Sequence, residues 1–115
     1  MNIEALRSHC LSKKGTTETF PFDESTLVFR VMEKMFALTS LEGELSVNLK
    51  CDPEKAIELR EEFHAVQPGF HMNKKHWNTI MLDGSIADEE IFRWIDDSYH
   101  LAVNNLTKAR KALIM

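Results

Sequence analysis

Residues 16–50 leave this chain little choice of fold. They hold four short segments rich in Thr, Phe and Val, namely TETFPF, TLVFRV, KMFALTS and ELSVNLK. The separators are only DES, the few residues around Glu33 and Lys34, and LEG. A parallel crossover needs roughly a dozen residues, so gaps this short dictate hairpins and four consecutive antiparallel strands.

The other elements are read from their ends. Asn2 caps a first helix in which Ile3, Leu6 and Cys10 recur at helical spacing, and Lys13, Lys14 and Gly15 close it. Asp52-Pro53 opens a second helix with Ala56, Leu59 and Phe63 on one face, stopped at or before Gln67, Pro68 and Gly69. WNTIML alternates, Trp77, Thr79 and Met81 against Asn78, Ile80 and Leu82, and reads as a fifth strand inside the sheet. Ser85 and Asp88 resemble a capping box for a final helix running from about Asp88 to near the C-terminus. That helix buries Ile91, Ile95, Ala102 and Leu106, with Phe92, Tyr99 and Val103 on a second side. The order α-β-β-β-β-α-β-α predicts an α+β two-layer sandwich, an antiparallel sheet of about five strands with helices on one face.

A chain of 115 residues, 43% of them hydrophobic, suits one domain over residues 1–115 with a single core. No stretch approaches the roughly 18 apolar residues that span a bilayer, and MNIEALRSHCLSKKG lacks the apolar run of a signal peptide. The expectation is a cytoplasmic protein with no membrane contact, its Cys10 and Cys51 ordinary reduced thiols.

A net charge of -4 argues against a surface built to coat nucleic acid, yet the charge is unevenly spread. No acidic residue lies between Glu62 and Asp83, a window holding His64, His71, Lys74, Lys75 and His76. Within it, HMNKKHWNTIMLDG offers Lys74 and Lys75 to neutralise phosphates and His76 or Trp77 to stack on an unpaired base. Lys50, Lys13 and Lys14 extend that patch if the fold brings them close. The bland reading sets the lysines in a solvated turn and Trp77 in the core, where large aromatics of strands usually lie.

Other chemistries fit less well. His64, His71 and His76, spaced seven and five apart with no thiolate among them, match no compact zinc motif, so neither metal nor cofactor is expected. Cys51 beside Asp52, with a histidine oriented by Asp83, can be drawn as a thiolate site, but Cys51 ends an apolar strand and reads better as a small buried residue. With no Gly-rich phosphate loop, HExxH or GxSxG, the expectation is no enzyme. A protein-interaction module would use the uncovered sheet face, or the six carboxylates between Asp83 and Asp97, with Met32, Met35, Met72 and Met81 as adaptable apolar surface.

The blocks PFDESTLVFRVMEKMFALTS, VNLKCDPEKAIELREEF, VQPGFHMNKKHWNTIMLDG and SYHLAVNNL resemble the successive blocks of the MmcQ/YjbR family of small bacterial proteins over nearly the whole chain. The resemblance implies a compact α+β fold similar to frataxin-like and secretion-chaperone-like sheets, a double-wing arrangement carrying a DNA-binding label, and no catalytic residues. One departure is visible: Glu33 stands where family members place Gly, so the second hairpin is expected to be looser or to use another turn type. The combined expectation is a monomeric bacterial protein that binds DNA weakly and electrostatically through Lys74, Lys75, His76 and Trp77. The alternative is an adaptor for a protein partner.

Overall fold

The computed structural model describes residues 1–114. Six antiparallel strands form one sheet in the order β1-β2-β3-β4-β6-β5. They are β1 (Thr16–Thr19), β2 (Thr26–Val31), β3 (Lys34–Ser40), β4 (Ser46–Lys50), β5 (Val66–Pro68) and β6 (Trp77–Met81). Helices α1 (Ile3–Leu11), α2 (Pro53–Glu62), α3 (Asp88–Asn104) and α4 (Lys108–Ile114) cover one face, giving the two-layer α+β sandwich read from the sequence. None of them is long and apolar enough to cross a membrane.

The four-strand meander and the strand at WNTIM stand where the sequence puts them, except that β1 ends at Thr19 and the FPF of the TETFPF segment lies in the following loop. A sixth strand, β5, is new. It is three residues long, too short to show a period, and its Pro68 is tolerated because the strand lies at the sheet edge. The final helix is also divided. Asn105 closes α3 by donating its N–H back to Ala102 O at 3.2 Å, and Thr107 Oγ1 accepts from Arg110 N at 3.3 Å to start α4. The Ser85/Asp88 capping box does not form. Ala87 takes the cap position of α3 with no side-chain bond, while Ser85 donates its backbone N–H and its hydroxyl to Asp83 Oδ1 at 2.9 and 2.6 Å. A local Asp-to-Ser turn has outcompeted the helix for the same donor.

Glu33 does not loosen the second hairpin. Val31 pairs with Lys34, so the turn has two central residues, and Met32 and Glu33 take φ of 47° and 75°. Positive φ at both is the mark of a type I′ turn, at a cost of about 1–2 kcal/mol for each side-chain-bearing residue. Arg110 of α4 holds the strained turn, donating to Met32 O at 3.3 Å and pairing with Glu33 Oε2 at 3.6 Å.

The core lies between helices and sheet. Leu27, Phe29 and Val31 of β2, Val47 and Leu49 of β4 and Ile80 of β6 meet Leu6 and Cys10 of α1, Leu59 of α2, and Ile91, Trp94, Ile95, Tyr99 and Ala102 of α3. A bulge at Phe29/Arg30 adds Phe36 to the same side as Ala37, where its ring meets Tyr99 edge-on at 5.3 Å. Ser98 of α3 is fully buried at this point. It donates to Phe36 O at 2.6 Å and accepts from Lys50 N at 2.8 Å, satisfying two backbone groups the sheet leaves open.

Candidate functional site

The other face of the sheet carries no helix. Cross-strand partners share a face, so the register assigns to it Thr17 and Thr19; Thr26, Val28 and Arg30; Met35, Leu38 and Ser40; Ser46, Asn48 and Lys50; Trp77, Thr79 and Met81; and Gln67. None of these is acidic, and two are cations. The carboxylates lie on helices, loops and turns, and the one strand carboxylate, Glu18, turns to the helix side, where Arg7 Nε donates to it at 2.7 Å.

Two loops rise beside this face. Between β1 and β2, Asp23 Oδ1 accepts from Ser25 N at 2.9 Å and Thr26 N at 2.6 Å, a closed turn whose donors hold the carboxyl below its ordinary range. Phe20 and Phe22 of this loop remain 48% and 63% exposed. Between β5 and β6, Gly69 donates to Trp77 O at 2.9 Å. A Cβ on Gly69 would come within 2.8 Å of Trp77 Cβ, so the loop can pass this close only with glycine there. Phe70, next along, is 67% exposed, and its ring tilts against His71 at 4.2 Å. Arg60 of α2 braces the loop from behind, donating to Lys74 O and, at 2.7 Å, to Asn78 Oδ1.

Between the loops lies a groove of about 630 Å³. Phe22, Phe70, His71 and Met72 form its walls, and Leu38, Asn48 and Thr79 its floor. Asp23 reaches its rim. The opposite end of the face is basic, where Arg30 and Lys50 share the end of the sheet that also carries Trp77 and the loop of Lys74 and Lys75.

The expected site residues share one turn but part ways. Lys74 and Lys75 are exposed, and no carboxylate among the described residues forms an ion pair with either. Lys74 Nζ nevertheless folds back to Gly69 O at 2.9 Å. Trp77, 7% exposed, packs with Val28 and Leu38, with Met35 and Met72 against the cluster, so its ring face is covered and a stacking role does not suit it. His76 is half-buried and borders a separate cleft with Lys50, Cys51, Asp52 and Leu101. Lys50 joins the basic end, opposite Trp77 in the register, whereas Lys13 pairs with Asp96 of α3 at 2.5 Å and Lys14 O accepts from the Tyr99 hydroxyl. These last two belong to the helix layer and do not extend the patch.

Sequence reasoning missed Phe20, Phe22, Phe70 and Asn48. Reading TETFPF as a strand throughout hides Phe20 and Phe22; the available signal was local, Pro21 and Asp23 around them and Pro68-Gly69 before Phe70 being turn formers.

Catalytic chemistry at Cys51 is disfavoured. Burial, then Asp52, pushes its thiol up to about 11, leaving it protonated at neutral pH. Asp83 is held by Ser85 and orients no base beside Cys51. Among the described residues no three His, Cys, Asp or Glu side chains converge to hold a metal.

A family model described as YjbR matches residues 11–101. The chain is 35% identical over 116 residues to the protein YjbR of Escherichia coli (strain K12), covering 100% of this chain and 98% of that one. It is 30% identical over 114 residues to YyaQ of Bacillus subtilis (strain 168), covering 85% and 95% respectively. The crystal structure of Deinococcus radiodurans protein DR2400, with the domain DUF419, superposes with a TM-score of 0.91 at 38% identity over 98% of this chain and 87% of that one. A Pseudomonas syringae protein gives 0.78 at 29% identity over 89% and 99%. With the match spanning most of the chain and the fold shared at this level, the protein belongs to the YjbR family.

Proposed function

We propose that the protein binds single-stranded nucleic acid, DNA in the first instance, through the open face of its sheet, as a monomeric, non-catalytic protein of the bacterial cytoplasm. One observation carries the reading: exposed Phe22 and Phe70 wall a groove on a sheet face whose strand positions bear cations and no carboxylate. Phosphates would follow Arg30, Lys50, Lys74 and Lys75, while bases lie on the phenylalanine rings. A stacked duplex offers those rings no base face. His76 and Trp77 support the basic end instead of touching bases. The protonated Cys51 thiol favours binding over catalysis, and two free cysteines suit a reducing compartment.

Fluorescence anisotropy with labelled single- and double-stranded DNA at two salt concentrations tests this. Single strands should bind more tightly than duplex. With three or four phosphates engaged, log affinity should fall against log salt with a slope of about −2 to −3. A Lys74→Glu, Lys75→Glu double variant and a Phe22→Ala, Phe70→Ala double variant should each weaken binding about tenfold or more. No binding at low salt, or unchanged binding in both variants, rejects the reading.

Leu38, Met72 and Met81 in the same groove favour a second reading, an adaptor for a protein partner. A discrete protein retained in a bacterial-lysate pull-down after nuclease treatment would support it over the first.

A further inference from the structure

Asn48 of β4 and Thr79 of β6 alternate onto the open face and pair directly across the two strands. Between them runs a hydrogen-bond relay that begins at the loop between β5 and β6. The backbone N–H of Phe70 can only donate, and it gives its proton to Thr79 Oγ1 at 2.8 Å. Thr79 in turn donates its hydroxyl proton to Asn48 Oδ1. The relay ends there, so the Asn48 carbonyl is engaged and its Nδ2, with two protons to give, has no acceptor among the described residues. Asn48 lines the groove floor beside Leu38, which neighbours it on β3, and Phe22 and Phe70 stand above. Leu38 and Met81 are the apolar part of the floor, Thr26, Ser40, Ser46 and Gln67 line it with hydroxyls and an amide, and the Asn48 donors lie among them between aromatic walls.

An asparagine with a free carbonyl and a free amide reads adenine, which offers an acceptor next to an amino donor. Asn48 is less suited to this, because its carbonyl already accepts from Thr79 while both protons of its amide are unspent. We propose that the groove takes an unpaired base of a single strand that presents a ring carbonyl, such as thymine, with Asn48 Nδ2 donating to that oxygen and Phe22 or Phe70 covering the ring. Adenine accepts only through ring nitrogens, two of which flank its amino group, so it matches a pair of donors less well than a base with carbonyl oxygens. The inference rests on the nucleic-acid reading above and adds the base class and the residue that selects it.

The test compares labelled (dT)12 and (dA)12 on the full chain at low salt, in wild type, Asn48→Ala and Thr79→Val. Wild type should prefer (dT)12. Asn48→Ala should reduce the dT:dA ratio about fivefold, the worth of one hydrogen bond to the base, with (dA)12 affinity little changed. Stiffness of the (dA)12 strand is common to all three proteins and drops out of that comparison. Thr79→Val releases the Asn48 carbonyl and should raise (dA)12 affinity relative to (dT)12, a change opposite in kind to general damage. A ratio unmoved by both substitutions overturns the base selection and leaves nucleic-acid binding standing. Absence of binding to either strand at low salt overturns both. Free thymidine monophosphate competing as well as (dT)12, strand for strand, overturns the assignment to a strand and makes the groove a nucleotide site.

Discussion

The two faces of one sheet have been solved differently. Towards the helices most polar intrusions are answered: Ser98 bridges Phe36 O and Lys50 N, and Asn78 takes Arg60 Nε and donates to Ala56 O at 3.2 Å, while the Thr16 hydroxyl is the exception, buried without a partner among the described residues. On the open face Asn48 keeps free donors, and in the flanking loops Phe22 and Phe70 keep exposed rings. Part of the open face is itself buried, Val28, Leu38, Trp77 and Thr79 being at most 7% exposed, so its unused polar and aromatic groups gather at the groove. The lesson is that the helix side carries stability and the open side carries hydrogen-bonding and stacking capacity for something else.

Single substitutions can break or sharpen that division. The largest contrast pairs two phenylalanines. Phe36→Ala removes a ring with no exposure and its edge contact with Tyr99, and should cost about 3–5 kcal/mol in chemical unfolding. Phe70→Ala should stay within about 0.5 kcal/mol of wild type. A comparable loss at Phe70 would mean that its ring serves the core after all. Next comes Ser98→Ala, expected at about 1–3 kcal/mol because two backbone groups lose their partner in a dry site.

The smallest effect tests the α1–α3 latch by pH. Burial acts to raise the Asp96 carboxyl, but hydrogen bonds from Lys13 and His9 outweigh it and hold it below its ordinary range. A group depressed in the folded state lends stability above its unfolded pKa of about 3.9, and that stability is lost as pH falls through the lower folded value. Wild type should therefore lose more stability than Asp96→Asn when thermal unfolding is followed downward from about pH 4. Parallel acid limbs would remove Asp96 from the latch.

How far the sequence could be read follows from what leaves a period. β2, β3, β4 and β6 run five to seven residues of strand-forming side chains between short gaps and were legible, as was the cap at Asp52, whose side chain does bond Lys55 N. β5 has no room for a period. The break at Asn105 is set by where Ile114 docks, a tertiary fact, since it packs into the core beside Gly15. The type I′ turn survives glutamate because Arg110, 77 positions further on, supports it. At the site, lysines advertised charge in the sequence while phenylalanines in turns did not advertise exposure. Trp77 shows the converse, an aromatic beside lysines that closes a small cluster with Val28 and Leu38.

The brevity of β5 also governs how molecules of this protein meet one another. A border strand normally presents a ladder of unpaired amides on which a neighbouring copy can zip, yet here that ladder is three residues long and its last rung, Pro68, has no N–H. Sheets from separate copies therefore cannot fuse along that border into a longer ribbon. The opposite border, β1, is four residues long and has no proline, so any pairing between copies is confined to that one side.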